Sequence, residues 1–194
     1  MKRPRQQRER VRPTREPPAN EPWDCVRVLK ELQAVSDKKI IEGMVRVGVV
    51  PKAALGVAMP QIRSLARKVG KSHELAQALW ETNIHEAMIL AALIDDPKEV
   101  TPQQADDWAA QFDSWALCDA VCSNLLDKTS FAYDTASGWS AREEELVKRG
   151  GFSLMAALAV HDKKAGDDRF AAFLPLIEKE AGDERHLVRK AVNW

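Results

Sequence analysis

The chain has 194 residues, 45 % hydrophobic and 30 % charged, with 29 basic and 29 acidic side chains and a net charge of zero. That composition suits one soluble globular domain with a sizeable core. It excludes a membrane span, because no apolar run reaches about 18 residues. It also excludes a disulfide framework, because Cys25, Cys118 and Cys122 are odd in number and lack framework spacing.

The neutral total is unevenly spread. Residues 1–20 hold seven Lys/Arg and two Glu, net +5, and the remainder holds 22 basic and 27 acidic residues, net −5. With four prolines and little to bury, residues 1–20 read as a disordered basic tail that would add non-specific attraction to nucleic acid. A nucleic-acid binder with an acidic body must gather its positive charge on one face. The tail has no apolar core of a signal peptide, and the reduced cysteines point to the cytoplasm. The three cysteines and four histidines make no ligand pattern, so no metal is expected.

The folded part is expected to run from residue 21 to residue 194. A first helix is predicted from Glu21, with Pro22 in its first turn and Val28, Leu29 and Leu32 on its apolar stripe. Ser36 or Asp37 caps a second helix carrying Ile40, Ile41 and Met44. Gly48–Ala58 reads as an irregular apolar loop. Pro60 opens a helix with Ile62, Leu65 and Val69 inward, and Gly70 ends it. Ser72 caps a helix that reaches Trp80, and Thr82 or Asn83 caps the next, which stops at Asp95-Asp96-Pro97. Thr101-Pro102-Gln103-Gln104 has a capping-box pattern.

Lys128–Ser137 reads as a polar connection, and Ser140–Glu143 as a second capping box. That box would start a long helix through Phe152 and Leu158, ending near Asp162. Gly150-Gly151 inside it would cost about 1 kcal/mol per glycine relative to Ala, which implies close packing or a break. Gly166-Asp167-Asp168 opens a helix kinked at Pro175, and Gly182-Asp183 opens the last. About ten helices in pairs, recurring every ~40 residues, give an all-α, HEAT-like helical-repeat solenoid with a concave face; a compact bundle is the alternative.

Asp113 or Ser114 begins the helix of greatest chemical interest, Trp115-Ala116-Leu117-Cys118-Asp119. Leu117, Val121 and Leu125 form its buried stripe, with Cys118 and Cys122 packed beside them. Trp115 and Asp119 lie one turn apart on a bordering face, so a carboxylate sits beside an indole at the edge of a core. That pair suits stabilisation of a short-lived cation, and equally suits a core Trp with a solvated Asp. His85-Glu86 reads as packing and capping.

Several stretches carry a resemblance: MPQIRSLA at 59–66, LWETNIHEA at 79–87, SWALCDAVC at 114–122, LVKRGGF at 146–152 and HLVRKAVNW at 186–194. Together, over roughly 40–194, the chain resembles the DNA alkylation repair glycosylases of the AlkD-like, HEAT-repeat type. The resemblance implies a DNA-binding concave face and hydrolysis of the N-glycosidic bond of cationic alkylated purines such as 3-methyladenine and 7-methylguanine. It implies no metal and no organic cofactor, and no extrusion of the base into a pocket. The family's aromatic–carboxylate pair matches Trp115 and Asp119, its backbone-contacting arginine Arg149, and its second tryptophan Trp194.

Lys148, Arg63, Arg189 and Lys190 are further candidate phosphate contacts, and could equally be solvated faces. Arg149 could also cover a helix end or pair with an acid, and Trp194 could be core. The family's last helix continues past Trp194, so the chain reads as truncated there. The expected partner is double-stranded DNA bearing alkylated bases, met as a monomer near the nucleoid. A non-catalytic DNA-structure binder and a protein-interaction scaffold stay open on the same architecture.

Overall fold

The computed structural model describes residues 22–194. The basic tail at 1–20 lies outside the described residues. Twelve α-helices and one 3-10 turn follow in order: α1 Cys25–Ala34, α2 Lys38–Arg46, α3 Met59–Val69, α4 His73–Trp80, α5 His85–Ile94, α6 Pro102–Ala109, α7 Trp115–Asn124, the turn Leu126–Lys128, α8 Ala132–Ser140, α9 Glu145–His161, α10 Asp167–Ala171, α11 Leu174–Glu180 and α12 His186–Val192. Among the described residues there is no strand, and no helix is long and apolar enough to cross a membrane.

The helices form two layers. An inner row runs α3, α5, α7, α9, α12, each packed on the next, while α4 backs α5 and α8 backs α9. This is the HEAT-like arrangement expected from the paired pattern. Helix α5 shows why the row holds: every residue from His85 to Ile94 except Leu93 is buried. A helix apolar on nearly all sides belongs in the middle of a layered stack. In the outer layer the Trp80 and Trp108 rings lie parallel at 3.9 Å, tying α4 to α6.

Several local expectations are corrected. Helix α1 starts at Cys25, not Glu21, because the Asp24 carboxylate accepts the Arg27 N–H. Helix α5 starts behind Ile84; Thr82 Oγ1 accepts the Ile84 N–H, and Asn83 turns the chain at φ 54°. Thr101 caps α6, but the Gln104 amide leaves the box to bond Asp95. The polar connection at 128–137 is largely helix α8, whose Ala132, Ala136 and Trp139 are buried. Ser140 ends that helix, donating to Ser137 O, so it caps nothing in α9. Where a kink at Pro175 was expected, the chain breaks at Ala172-Phe173 and Pro175 sits in the first turn of α11; α12 starts at His186, behind Arg185.

Gly150-Gly151 marks close packing. A Cβ on Gly151 would stand 2.4 Å from the Ser140 backbone nitrogen, and one on Gly150 would stand 2.9 Å from the Trp139 ring. Only hydrogen at these positions lets α8 lie so near α9. Cys118 and Cys122 of α7 pack against α9 near Leu146 and Gly150, both fully buried, and burial pushes the Cys118 thiol well above its ordinary range. It is a packing group, as the apolar stripe implied.

Candidate nucleic-acid interface

Helix α7 turns its chemistry outward because its other side is pinned. Ser114 Oγ accepts the Leu117 N–H at the helix start, and Leu117, Cys118, Val121 and Cys122 are wholly buried. Trp115, Asp119 and Ser123, at i, i+4 and i+8, are left on the open side. The Trp115 indole N–H donates to Val47 O at 3.3 Å, which fixes the ring against the end of α2.

Helix α9 supplies the partners. Arg149 Nε donates to Asp119 Oδ1 at 3.0 Å and Nη2 to Oδ2 at 2.7 Å. Ser153, one turn further along, donates its hydroxyl to Asp119 Oδ1 at 2.7 Å. The third face of the guanidinium goes to α12, where Nη1 donates to Leu187 O at 2.8 Å. The guanidinium carbon stands 4.8 Å from the Trp194 ring and 6.0 Å from the Trp115 ring. The Arg149 side chain is 3 % exposed and that of Asp119 24 %. Three donors therefore fix the carboxylate's orientation, and part of it remains open.

Asp119 lies where two clefts meet. One, of about 280 Å³, runs between α7 and α9 and is lined by Ser123, Ser153, Ala156, His161 and Trp194. The other, of about 400 Å³, is mostly apolar and is walled by α2, α3, α5 and Trp115. Its wall depends on Glu86. That carboxylate is buried and accepts the N–H groups of Leu55, Gly56 and Val57, which clamps the loop after α2 onto α5. Burial lowers the neighbouring His85 imidazole below its ordinary range, against the opposing pull of Glu86 and Asp113. The His85-Glu86 pair thus packs and caps.

The remaining expected contacts separate. Arg63 is exposed and borders the apolar cleft together with a shallow cup of about 370 Å³ that Arg67, Lys71 and Asn124 also line. Arg189 and Lys190 are exposed in the last turn of α12. Lys148 is turned inward: its ammonium is 2.7 Å from Glu180 and 3.9 Å from Asp183, with 7 % of its side chain exposed. Its charge is spent joining α9 to the segment before α12, so it offers nothing to a phosphate. Arg149, expected to hold backbone, is likewise engaged within the protein, with Asp119 and Leu187.

Trp115 and Asp119 of α7, Arg149 of α9 and Trp194 after α12 thus meet at one place on a helical-repeat scaffold. The family profile of DNA alkylation repair enzymes matches residues 28–194. The chain belongs to the DNA alkylation repair enzyme family.

The uncharacterized protein Lin0241 of Listeria innocua is 27 % identical over 128 residues, 64 % of this chain and 57 % of that relative. The uncharacterized protein Lmo0209 of Listeria monocytogenes is 26 % identical over the same shares. The chain therefore matches a little over half the length of these relatives. A solved structure from a family described as related to the HEAT-like repeat DNA glycosylases, with affinity for branched DNA structures, superposes with a TM-score of 0.79. It is 25 % identical, and the overlap covers 88 % of this chain and 73 % of that one.

Within this DNA alkylation repair family member, sequence reasoning passed over three polar residues. Ser153 holds Asp119 and was signalled by its place one turn after Arg149. His161 and the buried Asp127 pair across the far end of the same cleft, and no local spacing announces a contact between residues 34 apart.

Proposed function

We propose that the protein is a DNA glycosylase that hydrolyses the N-glycosidic bond of cationic alkylated purines such as 3-methyladenine and 7-methylguanine. The supporting observation is the Asp119 carboxylate, held rigid by Arg149 and Ser153 between two tryptophans and open to a cleft. When the bond between the sugar and the base breaks, its electron pair leaves with the base. An alkylated, positively charged purine departs neutral, so no strong acid is required. The positive charge passes to the deoxyribose as an oxocarbenium-like transition state. A carboxylate fixed beside that carbon lowers the energy of the charge without having to reorganise. Water then attacks the sugar carbon and loses a proton.

Trp115 and Trp194 provide faces that attract cationic rings, worth about 0.5–2 kcal/mol each. Arg149 acts first as the brace of Asp119. Arg63, Arg189 and Lys190 are the exposed cations offered to the phosphates. In this reading the partner is double-stranded DNA bearing alkylated bases, the working unit is a monomer, and the place is the cytoplasm beside the nucleoid.

A second reading, binding of branched DNA without base release, draws on the structural neighbour, whose family is described as having that affinity. One experiment separates the two. Methylated duplex DNA is incubated with the protein and free bases are quantified, while binding to a four-way junction is measured alongside. Release of methylated purines that stops in Asp119→Asn supports the glycosylase. Junction binding with no release of any base rejects it in favour of the binder.

A further inference from the structure

The cleft that starts at Asp119 ends at a second acid–base pair. The 3-10 turn after α7 carries Asp127, whose side chain is fully buried, and the last residue of α9 is His161, whose side chain is 47 % exposed. His161 Nδ1 lies 2.6 Å from Asp127 Oδ2. A buried carboxylate facing Nδ1 selects the tautomer that carries its proton there and aims Nε2 away from the core. Asp127 Oδ1 is buried without a hydrogen-bond partner among the described residues, so the imidazole is that carboxylate's principal contact. The cleft between the two pairs has a floor of Ala156 and Ala157 with Ser123 and Ser153 at its sides, so a strand can lie close to it.

His161 follows Ser153 by eight residues on the same face of α9, about 12 Å along the axis. That is too far to touch a sugar carbon at Asp119. It is the separation of a phosphate a few nucleotides away, at about 3.4 Å of axis per nucleotide. We propose that His161, oriented by Asp127, is a backbone-binding residue that donates Nε2–H to a DNA phosphodiester along the α7–α9 cleft, making affinity for DNA rise as the imidazole takes up a proton. The inference rests on the reading that this cleft receives DNA.

The chemistry follows from the tautomer. With Nδ1–H committed to Asp127, a neutral ring has only a lone pair at Nε2 and cannot donate to a phosphate. Protonation places a second N–H there and a positive charge beside the anion. The other charged groups at this end are few. Lys128 stands 3.9 Å from Asp127 Oδ1. Asp162 accepts from the Tyr133 hydroxyl and from the N–H groups of Lys164 and Ala165. Lys163 is exposed on the following turn, and Asp119 at the opposite end is paired with Arg149. Of these groups, His161 is the one that can gain a second ring N–H and a positive charge while keeping its contact with Asp127.

The test is binding of the full chain to a duplex oligonucleotide containing one tetrahydrofuran abasic site, at about pH 6 and about pH 8. His161→Ala and His161→Gln are compared with wild type, and base release from methylated DNA is run in parallel. Wild type is expected to bind about tenfold more tightly at the lower pH, the scale of one charge-assisted hydrogen bond. In His161→Ala that difference vanishes, and at the lower pH the dependence of log affinity on log salt flattens by about 0.9, one phosphate's share. In His161→Gln, whose amide donates at any pH, binding stays above that of Ala and is independent of pH.

A pH difference and salt slope retained in His161→Ala overturn the proposal. So does a wild type whose affinity is the same at both pH values. Base release with His161-independent binding removes this inference alone; His161-dependent binding without base release removes the glycosylase reading alone. Absence of any DNA binding removes both.

Discussion

Arg149 meets Asp119 edge to edge, through two hydrogen bonds of 3.0 and 2.7 Å, on the open side of α7. The geometry is that of a bidentate guanidinium–carboxylate pair, the strongest orienting contact a side chain can give a carboxylate. Its consequence is a linked effect on activity and stability. On the proposed glycosylase reading, Asp119→Asn removes the charge that would face the sugar and is expected to lower base release by about 10²–10³, the scale of losing one preorganised charge-stabilising group. It also leaves the nearly buried Arg149 with a neutral partner, so stability falls by about 1–3 kcal/mol. Ser153→Ala, which loses only one orienting bond, should lose about tenfold in rate and about 1 kcal/mol. Single-turnover release and urea unfolding measure both quantities. A folded Asp119→Asn protein with wild-type release would remove Asp119 from the chemistry.

Trp194 is the member of the cluster that can be removed at least structural cost. It is 64 % exposed, and its ring faces the Arg149 guanidinium at 4.8 Å. Trp194→Ala is expected to lose about 0.5–1 kcal/mol of stability, the value of one exposed cation–π contact. If the proposed glycosylase reading holds, base release should fall about tenfold, one of the two ring faces proposed for the lesion's charge being lost. Equal release by the two proteins under single-turnover conditions would show that Trp194 only covers Arg149.

The helical scaffold was legible in the sequence because its signals are local. Asp37, Ser72, Thr101 and Ser114 each cap the helix they were expected to cap, and apolar spacing gave the buried faces of α3 and α7. The misread stretches have signals that compete. Ser140 begins a capping-box pattern, yet Trp139 and Ala136 are buried, and their burial draws the residues before it into α8. At the site, the Trp115–Asp119 neighbourhood follows from i, i+4 spacing alone. The Asp119–Arg149 pair, the inward Lys148 and the Asp127–His161 pair depend on how α7, α9 and the segment before α12 are stacked. Stacking is a property of the whole core that no window of residues encodes.

Gly151→Ala gives a prediction whose sign reverses between sequence and structure. Replacing a mid-helix glycine by Ala ordinarily stabilises by about 1 kcal/mol. Here the added Cβ would stand 2.4 Å from Ser140 N, 2.8 Å from Ser140 Cα and 2.9 Å from Ala136 O, all backbone atoms of α8. Backbone cannot rotate away, so α8 must move. A net loss of about 2 kcal/mol or more is expected from this overpacking. Gly150→Ala meets a side-chain ring at 2.9 Å instead and should cost less. Urea midpoints order the two variants, and a Gly151→Ala protein more stable than wild type would refute the close α8–α9 contact.

The approach to α12 should set part of the acid limb of stability. The Asp183 carboxylate accepts from the Arg185 backbone N–H at 2.9 Å and from its guanidinium at 2.6 Å, with Lys148 at 3.9 Å. Arg185 Nη1 in turn donates to Glu143 O at 2.6 Å, fastening the start of α12 to the start of α9. The Arg185 hydrogen bonds, first among the causes, hold the Asp183 carboxyl at about 2, below the ordinary carboxylate value. A group depressed in the folded state lends stability that is complete above its unfolded value of about 4. That stability is lost as pH falls from about 4 towards about 2. In Asp183→Asn this contribution is absent at every pH, so unfolding free energy should fall less steeply over that window than in wild type. Because α12 carries Leu187 O, which anchors Arg149, the amide of Val188 should lose hydrogen-exchange protection over the same window. Parallel acid limbs in the two proteins would mean that this pair does not secure α12.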